Sequence, residues 1–409
     1  MTAWTPQVFT PYPDQPELLF ARVAARSPAF EGTSAADGAP VLVGSAAGHD
    51  RDQVATGARG ELLERLGNVL AGREAETAAE VVTTHRELRR QGVPALAPPV
   101  RPDARRLWVR GRTVRGAEVL VPAGSAFLQH RPPAGCDAAP AAGSTGIAAH
   151  PDPAAAARHA AWEVLERDLV RRSWYGLSDR PPSLLPAVPP PPLAAFLRAG
   201  ELVATAFTVP APAGTACAVV CVHRADGTGQ AFGARCGPAD TIGALVEKAA
   251  YEAVMVRWSM RTQVARRTWE RWHGATPPAT AVQHALWTFH RQDSLRLWGV
   301  RPPPAGRPGS AGRTGPQHAL ARHTDPQHGL ARHTDPQHGL ARHTDPLLVL
   351  AGHTDPLLVL AGHTGQDVVL VETTAKPARD AGVRVVRVIA PGTLPLPSGP
   401  GPGRPHPFG

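Results

Sequence analysis

Apolar and polar positions change period several times along this chain, from the twofold alternation of strands to the three-and-four spacing of helices. The run "VLVG" is short, apolar and closed by glycine, and a helical pattern opens just after it, at Asp50 or Asp52, either of which can cap the helix. In that helix Ala55, Ala58, Leu62, Leu66 and Val69 recur at spacings of three and four, which makes one buried stripe. "RRLWVRGRTV" and "AEVLVPA" then read as strands. A second helix covers "HPDPAAAARHAAWEVLERDLVRRSW", with Asp152 as cap and Pro153 at the first helical position, where its missing N–H costs nothing. After a Pro-rich linker, "LVATAFTVP" and "ACAVVCVHR" read as neighbouring strands, and "ADTIGALVEKAAYEAVMVRWSM" as a third helix opened by Asp240. Strands followed by an Asp-started helix, three times over, describe an α/β or α+β domain with mixed β-sheets.

The organisation beyond this pattern is uneven. Residues 1–40 form a Pro-rich, weakly periodic segment, expected to drape over the domain or pair a strand onto it, and 41–301 hold the core pattern. Residues 302–354 are a Pro/Gly linker and a run of decapeptides, and 355–409 return to the core pattern and end in a Pro-rich tail. The decapeptides are "GPQHALARHT", "DPQHGLARHT" twice and "DPLLVLAGHT" twice; the last runs into "GQDVVLVETT", a helix followed by a strand. One copy therefore suffices for the fold, and the copies at 315–354 are expected to be a surface insertion, at most loosely helical. Their units are too short for a two-helix solenoid repeat.

Composition narrows the function. The net charge is +9, but Lys248 and Lys376 are the only lysines, and no basic block carries interleaved aromatics, so nucleic acid is not an expected partner. No apolar run approaches a membrane span and the N-terminus has no signal-peptide pattern, which points to a cytoplasmic protein. Cys136, Cys217, Cys221 and Cys236 are too few and too irregular for a disulfide framework or a zinc site, and are read as reduced packing residues.

Two stretches carry chemistry. "GELLERLG" and "AWEVLERD" each place two glutamates three apart and follow the second with arginine. Residues i and i+3 lie on one helix face, so Glu61 with Glu64, and Glu163 with Glu166, form acidic ridges; a solvated surface softened by Arg65 and Arg167 is the bland explanation of either ridge alone. Glu252 and Arg257 on the third helix add a further carboxylate and guanidinium. Carboxylates so arranged suit Mg²⁺, and the arginine fork suits phosphate. There is no phosphate loop of the GxxxxGK[ST] type, so a nucleotide would be held through metal and arginine.

These residues resemble the YcaO domain family, from about residue 40 to the C-terminus without the repeats. The family's first helix carries a serine, a glutamate four on, then glutamate and arginine, matched by Gly57, Glu61, Glu64 and Arg65. Its "SNGLAAG" turn and "ExxERD" helix are matched by Ser144, Thr145, Gly146, Glu163, Glu166, Arg167 and Asp168. A third helix with glutamate, glutamine and arginine is matched by Glu252, Met255 and Arg257, and the family's proline-rich end by Pro405–Phe408. Gly57, Thr145 and Met255 depart from the family's serine, asparagine and glutamine, and "GSAAG" at 44–48 lacks the lysine often found in the glycine turn before the first helix.

The resemblance implies three acidic helices around a nucleotide site, with Glu61, Glu64, Glu163 and Glu166 on Mg²⁺ and Ser144, Arg65, Arg167, Arg257 and Glu252 on ATP. It implies ATP-dependent activation of peptide backbone amides, as azoline-forming cyclodehydration or as thioamide or amidine formation, in the biosynthesis of ribosomally made peptide natural products. Implied partners are a precursor peptide and a leader-peptide-binding protein that delivers it, with a homodimer left open. The alternative is a non-catalytic relative that binds a precursor peptide or a partner enzyme. A different reading, metal storage by His318, His323, His328, His333, His338, His343, His353 and His363, meets the objection that proline in every unit fixes no coordination geometry.

Overall fold

A computed structural model of the 409-residue chain describes residues 4–30, 40–98, 101–138, 142–186, 189–301, 354–395 and 405–408. The decapeptide copies before residue 354, and with them the expected surface insertion and seven of the eight repeat histidines, lie outside the described residues.

The N-terminal strands β1 (Gln7–Phe9) and β2 (Leu19–Arg26) pair antiparallel with β3 (Val41–Gly48), so the first forty residues contribute two strands to one sheet. The "GSAAG" stretch is no turn: it is the second half of β3, paired residue by residue with β2 from Gly44 against Val23 to Gly48 against Leu19. Helix α1 (Arg51–Ala78) follows, capped by Asp50, whose carboxylate accepts the Gln53 N–H. Its buried stripe is Val54, Ala58, Leu62, Leu66 and Val69; Ala55, one position round, is only half buried.

The strands β4 (Val81–Thr83), β5 (Arg106–Thr113), β6 (Glu118–Pro122) and β7 (Ile147–His150) join later strands in the largest sheet, with helices α2 (His85–Arg90) and α3 (Ala123–Ala126) between them. Helix α4 (Pro153–Trp174) is capped by Asp152 with Pro153 in the first turn. Next come β8 (Ser183–Leu184), α5 (Pro191–Ala199), β9 (Leu202–Val209), β10 (Thr215–Arg224) and β11 (Ala231–Pro238), which make a four-stranded antiparallel sheet in the order β11-β10-β9-β8. The strand β10 is buried almost throughout because both its faces are covered. Cys217, Val219 and Cys221 join the cluster around α4, and Val220 and Val222 join the cluster around α6 (Ile242–Met260). Cys217, Cys221 and Cys236 are buried in the core and Cys136 is half buried. Asp240 does not cap α6: it sits in a preceding 3₁₀ turn, Ala239–Thr241, and the helix starts after it.

Helices α7 (Gln263–Trp272), α8 (Ala281–His290) and α9 (Ser294–Leu297) close the central part. Then α10 (Pro356–Thr364), β12 (Val369–Glu372), α11 (Lys376–Asp380) and β13 (Arg384–Ile389) return to the large sheet, ordered β4-β5-β12-β13-β7 with β6 on β5. Every ladder between named strands is antiparallel, so the class is α+β rather than wound from parallel βαβ units. Among the described residues no helix is long and apolar enough to cross a membrane.

Candidate active site

Three strands lie at sheet edges facing α1, α4 and α6: β3, β7 and β11. An edge strand leaves outward N–H groups without a ladder partner, and a protein must satisfy or cover them. Here glutamates do so. Ser45 N–H on β3 donates to Glu61 (2.5 Å), Ala149 N–H on β7 to Glu64 (3.3 Å), and Gly146 N–H, just before β7, to Glu163 (2.9 Å). On β11, Cys236 N–H donates to Glu166 (3.2 Å) and Ala234 N–H to Glu252 (3.1 Å). The two β11 amides are two residues apart, as the period of a strand requires for one edge.

Close approach of helix to strand makes this reach work. A Cβ at Gly44 would lie 2.1 Å from the Ala58 carbonyl oxygen and 2.6 Å from the Leu62 nitrogen, so α1 rests on bare backbone there. At Gly233 a Cβ would meet the Ala249 oxygen at 2.1 Å and the Ala253 nitrogen at 2.6 Å, the same arrangement beneath α6. In each case the glutamate three residues beyond the contacted alanine caps the amide that follows the glycine.

The arginines divide by location. Arg167 spans the helices, 3.4 Å from Glu166, 3.6 Å from Glu252 and 4.0 Å from Glu163, with its guanidinium 5.7 Å from the Phe408 ring centre. Burial works against its charge, but Glu166, Glu252 and Glu163 outweigh it and hold its pKa above the ordinary value. Arg65 pairs on its own helix with Glu61 (2.6 Å) and donates to the Val43 carbonyl. Arg257 does not face the cluster: it donates to the Gly229 carbonyl and lies over the Phe289 ring at 5.7 Å, with Arg261, Tyr12 and Arg224 as its charged or polar surroundings. Five positions beyond Glu252, it sits about 140° round the helix and so does not share the face of that glutamate. Ser144 is exposed, and its carbonyl accepts the Ile147 N–H.

The pattern of charges missed two arginines that the fold brings in. Arg235, between the two capped amides of β11, has its pKa raised: burial opposes this, and Glu166 and Glu252 override it. Arg387 on β13 is pushed down to about 10 by burial, with Glu163 pulling it back, and it donates to the Gly143 carbonyl (2.8 Å). Each is a charged residue flanked on both sides by apolar or small strand residues, in "FGARCG" and "VVRVI", and that is the signal that could have found them.

The carboxylates carry the strain of the arrangement. Burial, with Glu163 and Glu61 as added like charges, pushes Glu64 up to about 8. Glu163 and Glu166 are also raised by burial, with Arg167 the largest influence pulling each back. Asp168, next to Arg167, goes the other way. Burial raises it, but bonds from His363 (2.6 Å), Arg172 (2.7 Å) and Leu394 N–H (2.8 Å) hold it below the usual range. Among the described residues no three His, Cys, Asp or Glu side chains form a ready-made metal cage. Mg²⁺ seldom uses one: it takes one or two carboxylates and completes its shell with water and phosphate oxygens, so carboxylate oxygens on three neighbouring helices beside arginines fit it and its nucleotide.

Comparison with known proteins bears on the same residues. The family model described as YcaO cyclodehydratase, ATP- and Mg²⁺-binding, matches residues 45–394. No curated protein matches the chain in sequence. The solved structure of YcaO from Methanopyrus kandleri, bound with AMPPCP and Mg²⁺, is similar with a TM-score of 0.58 at 18% identity, covering 98% of this chain and 90% of that one. A heterocyclase in complex with substrate and cofactor gives 0.58 at 15% identity, over 96% of this chain and 50% of that one. The E. coli microcin synthetase McbBCD complex with pro-MccB17 bound gives 0.55 at 12%, over 96% and 89%. The match spans most of the sequence, including all five edge-capping glutamates, and the chain therefore belongs to the YcaO cyclodehydratase family, with ATP and Mg²⁺ as its cofactors.

Proposed function

We propose that the cleft between α1, α4 and α6 binds ATP with Mg²⁺ and activates backbone amides of a ribosomally made precursor peptide. The observation that carries this is that five glutamates from three helices cap amides at three sheet edges, three of them (Glu163, Glu166 and Glu252) around Arg167. In this reading Glu61, Glu64, Glu163 and Glu166 supply oxygen ligands to Mg²⁺. Glu252 anchors Arg167 across the cleft, and Arg167, Arg65 and Arg235 face phosphate, with Ser144 at the exposed mouth. Arg257 serves the core instead.

Bound ATP with Mg²⁺ supplies a phosphoryl group, which turns an amide oxygen, otherwise a poor leaving group, into a good one. The chain's own part is to position and to offset charge. Each carboxylate is fixed by a backbone N–H, so it is already oriented when nucleotide arrives, and the buried arginines act where little water screens them. Azoline formation from a Cys, Ser or Thr of the peptide is the favoured outcome, with thioamide or amidine formation as the related chemistries. A leader-binding partner brings the peptide, in keeping with the similarity to a synthetase complex.

Glu163→Gln tests the assignment because it keeps shape while removing one charge. Nucleotide affinity, read from the rise in melting temperature with millimolar ATP and Mg²⁺ and its reversal by EDTA, should fall. The apo protein should lose less than about 0.5 kcal/mol, because a repelling carboxylate has gone. For scale, a ligand at one hundred times its dissociation constant stabilises by about 2.7 kcal/mol. Equal affinity in mutant and wild type removes Glu163 from the site. One feature favours the non-catalytic alternative: Met255 packs in the apolar cluster of Leu18 and Phe20, where the family has a polar side chain. ATP turnover on the peptide encoded beside the gene separates the two readings.

A further inference from the structure

We propose that the groove holding Pro356–Thr364 is a docking site for the decapeptide itself, and that the copy at 345–354 exchanges into it in place of the copy at 355–364. The contacts of α10 define what the groove reads. Asp355 caps the helix through the Leu357 N–H, Pro356 is buried, Leu360 is fully buried in the cluster around Trp174, and His363 bonds Asp168 at 2.6 Å. Thr364 closes the turn by donating to the Leu360 carbonyl (3.0 Å). Leu358 is 62% exposed and Gly362 is exposed, so the groove does not read them.

The five copies vary in a way that follows these contacts. The proline, the central Leu-Ala and the closing His-Thr are the same in all five. Apart from the opening Gly315 of the first copy, the differences fall at the places of Leu357, Leu358, Val359 and Gly362, which are exposed or half buried. The copies between 315 and 344 keep the proline, leucine and His-Thr anchors, though the first lacks the capping aspartate, and all three put glutamine where Leu357 meets Ala156, Ala157 and Val386, so they give up apolar packing. Only the copy at 345–354 matches the docked one at all ten places, and it adjoins it directly.

Two costs set the balance between these registers. The residue after the docked copy is Gly365, in the left-handed region at φ 66°. After the other copy that place falls to Asp355, which tolerates it at a penalty of roughly fivefold. The connection to Val368 also grows from residues 365–367 to residues 355–367, and chain entropy makes that roughly tenfold. The exchanged register is thus disfavoured on the order of fiftyfold in total, a minor state that becomes the main one when the native copy is spoiled.

The test uses the full chain with Leu360→Asp, Leu350→Asp and both together, followed by urea unfolding and by hydrogen exchange of each copy. Leu350→Asp should leave stability unchanged. Leu360→Asp should lower the folding equilibrium by no more than roughly fiftyfold, with protection moving from 355–364 to 345–354. The double variant should fall at least a further tenfold. A Leu360→Asp chain as unstable as the double variant, with neither copy protected, would overturn the exchange. Stability that recovers only as protein concentration rises would overturn it too, since the groove would then be filled by a second chain.

Discussion

The β3–α1 and β11–α6 units are built alike and end up doing different electrostatic work. Both rest a helix on a strand glycine, Gly44 and Gly233, and both turn a glutamate, Glu61 and Glu252, onto the next edge amide. On α1 the glutamate keeps its charge partner on its own helix, Arg65, and both are about one-third exposed. On α6 the glutamate is more enclosed and its partner, Arg167, comes from α4 and is only 14% exposed. The second ridge position differs as well: Glu64 reaches across to β7, whereas Met255 joins an apolar cluster. Backbone geometry therefore places a carboxylate at the strand edge, but the third element that reaches the seam decides what that carboxylate holds.

The shared part of the comparison is broken most severely at the glycines. Gly44→Ala and Gly233→Ala should each destabilise by about 3 kcal/mol or more, since the added methyl meets helix backbone and not a side chain that can move. Urea unfolding should show the two effects to be similar; a mild effect at either would mean that its helix can lift away. The differing part is broken by Arg167→Ala, which leaves Glu163, Glu166 and Glu252 without their common cation. It should cost about 3 kcal/mol, against about 0.5 kcal/mol for Arg65→Ala at the exposed pair. Equal losses would abolish the distinction between the two units.

Acid should act from the α4–α6 side. His406 is fully buried, its pKa is held well below 6.5 by burial, and its backbone N–H donates to His284 Nδ1 on α8. In the folded chain it stays neutral, while the unfolded chain takes a proton near pH 6.5, so protonation favours unfolding. Stability should be full above that pH and fall below it by up to about 1.4 kcal/mol per pH unit for this one group. Glu64, with its pKa up at about 8, takes a proton in the folded chain over the same range and works the other way, so the measure is a difference. Between pH 7.5 and 5 the urea midpoint of the wild type should fall more, or rise less, than that of His406→Gln, and equal pH slopes would remove His406 as a source of acid sensitivity. The smallest effect belongs to the region outside both units. Deleting residues 315–354 leaves the copy at 355–364 in place and should change melting temperature and nucleotide binding hardly at all, by less than about 0.5 kcal/mol. Lost folding or lost ATP binding would make the repeats structural.

Local signals were legible wherever a residue acts on its own segment. Asp50 and Asp152 cap their helices as their positions before apolar periods imply, and the "DPLLVLAGHT" that precedes the last strands is a helix. The acidic ridges were legible for the same reason, as a property of helical spacing. Legibility stopped where a second element intervened. Asp240 lies ahead of α6 because a tight turn from β11 takes up the first residues, and "GSAAG", a turn in the family pattern it resembles, is held extended by its pairing with Leu19–Val23 of β2.

Residue order alone sets which helices carry carboxylates and at what spacing, because a period of 3.6 places i and i+3 on one face whatever surrounds the helix. Tertiary structure alone decided that these carboxylates meet edge amides of β3, β7 and β11. It also brought Arg235 and Arg387 beside the glutamates and turned Arg257 toward Gly229 instead. The reason is that a strand's free N–H groups exist only once the sheet order is set. Which carboxylate answers them depends on distances between segments far apart in the chain, and no local spacing encodes those.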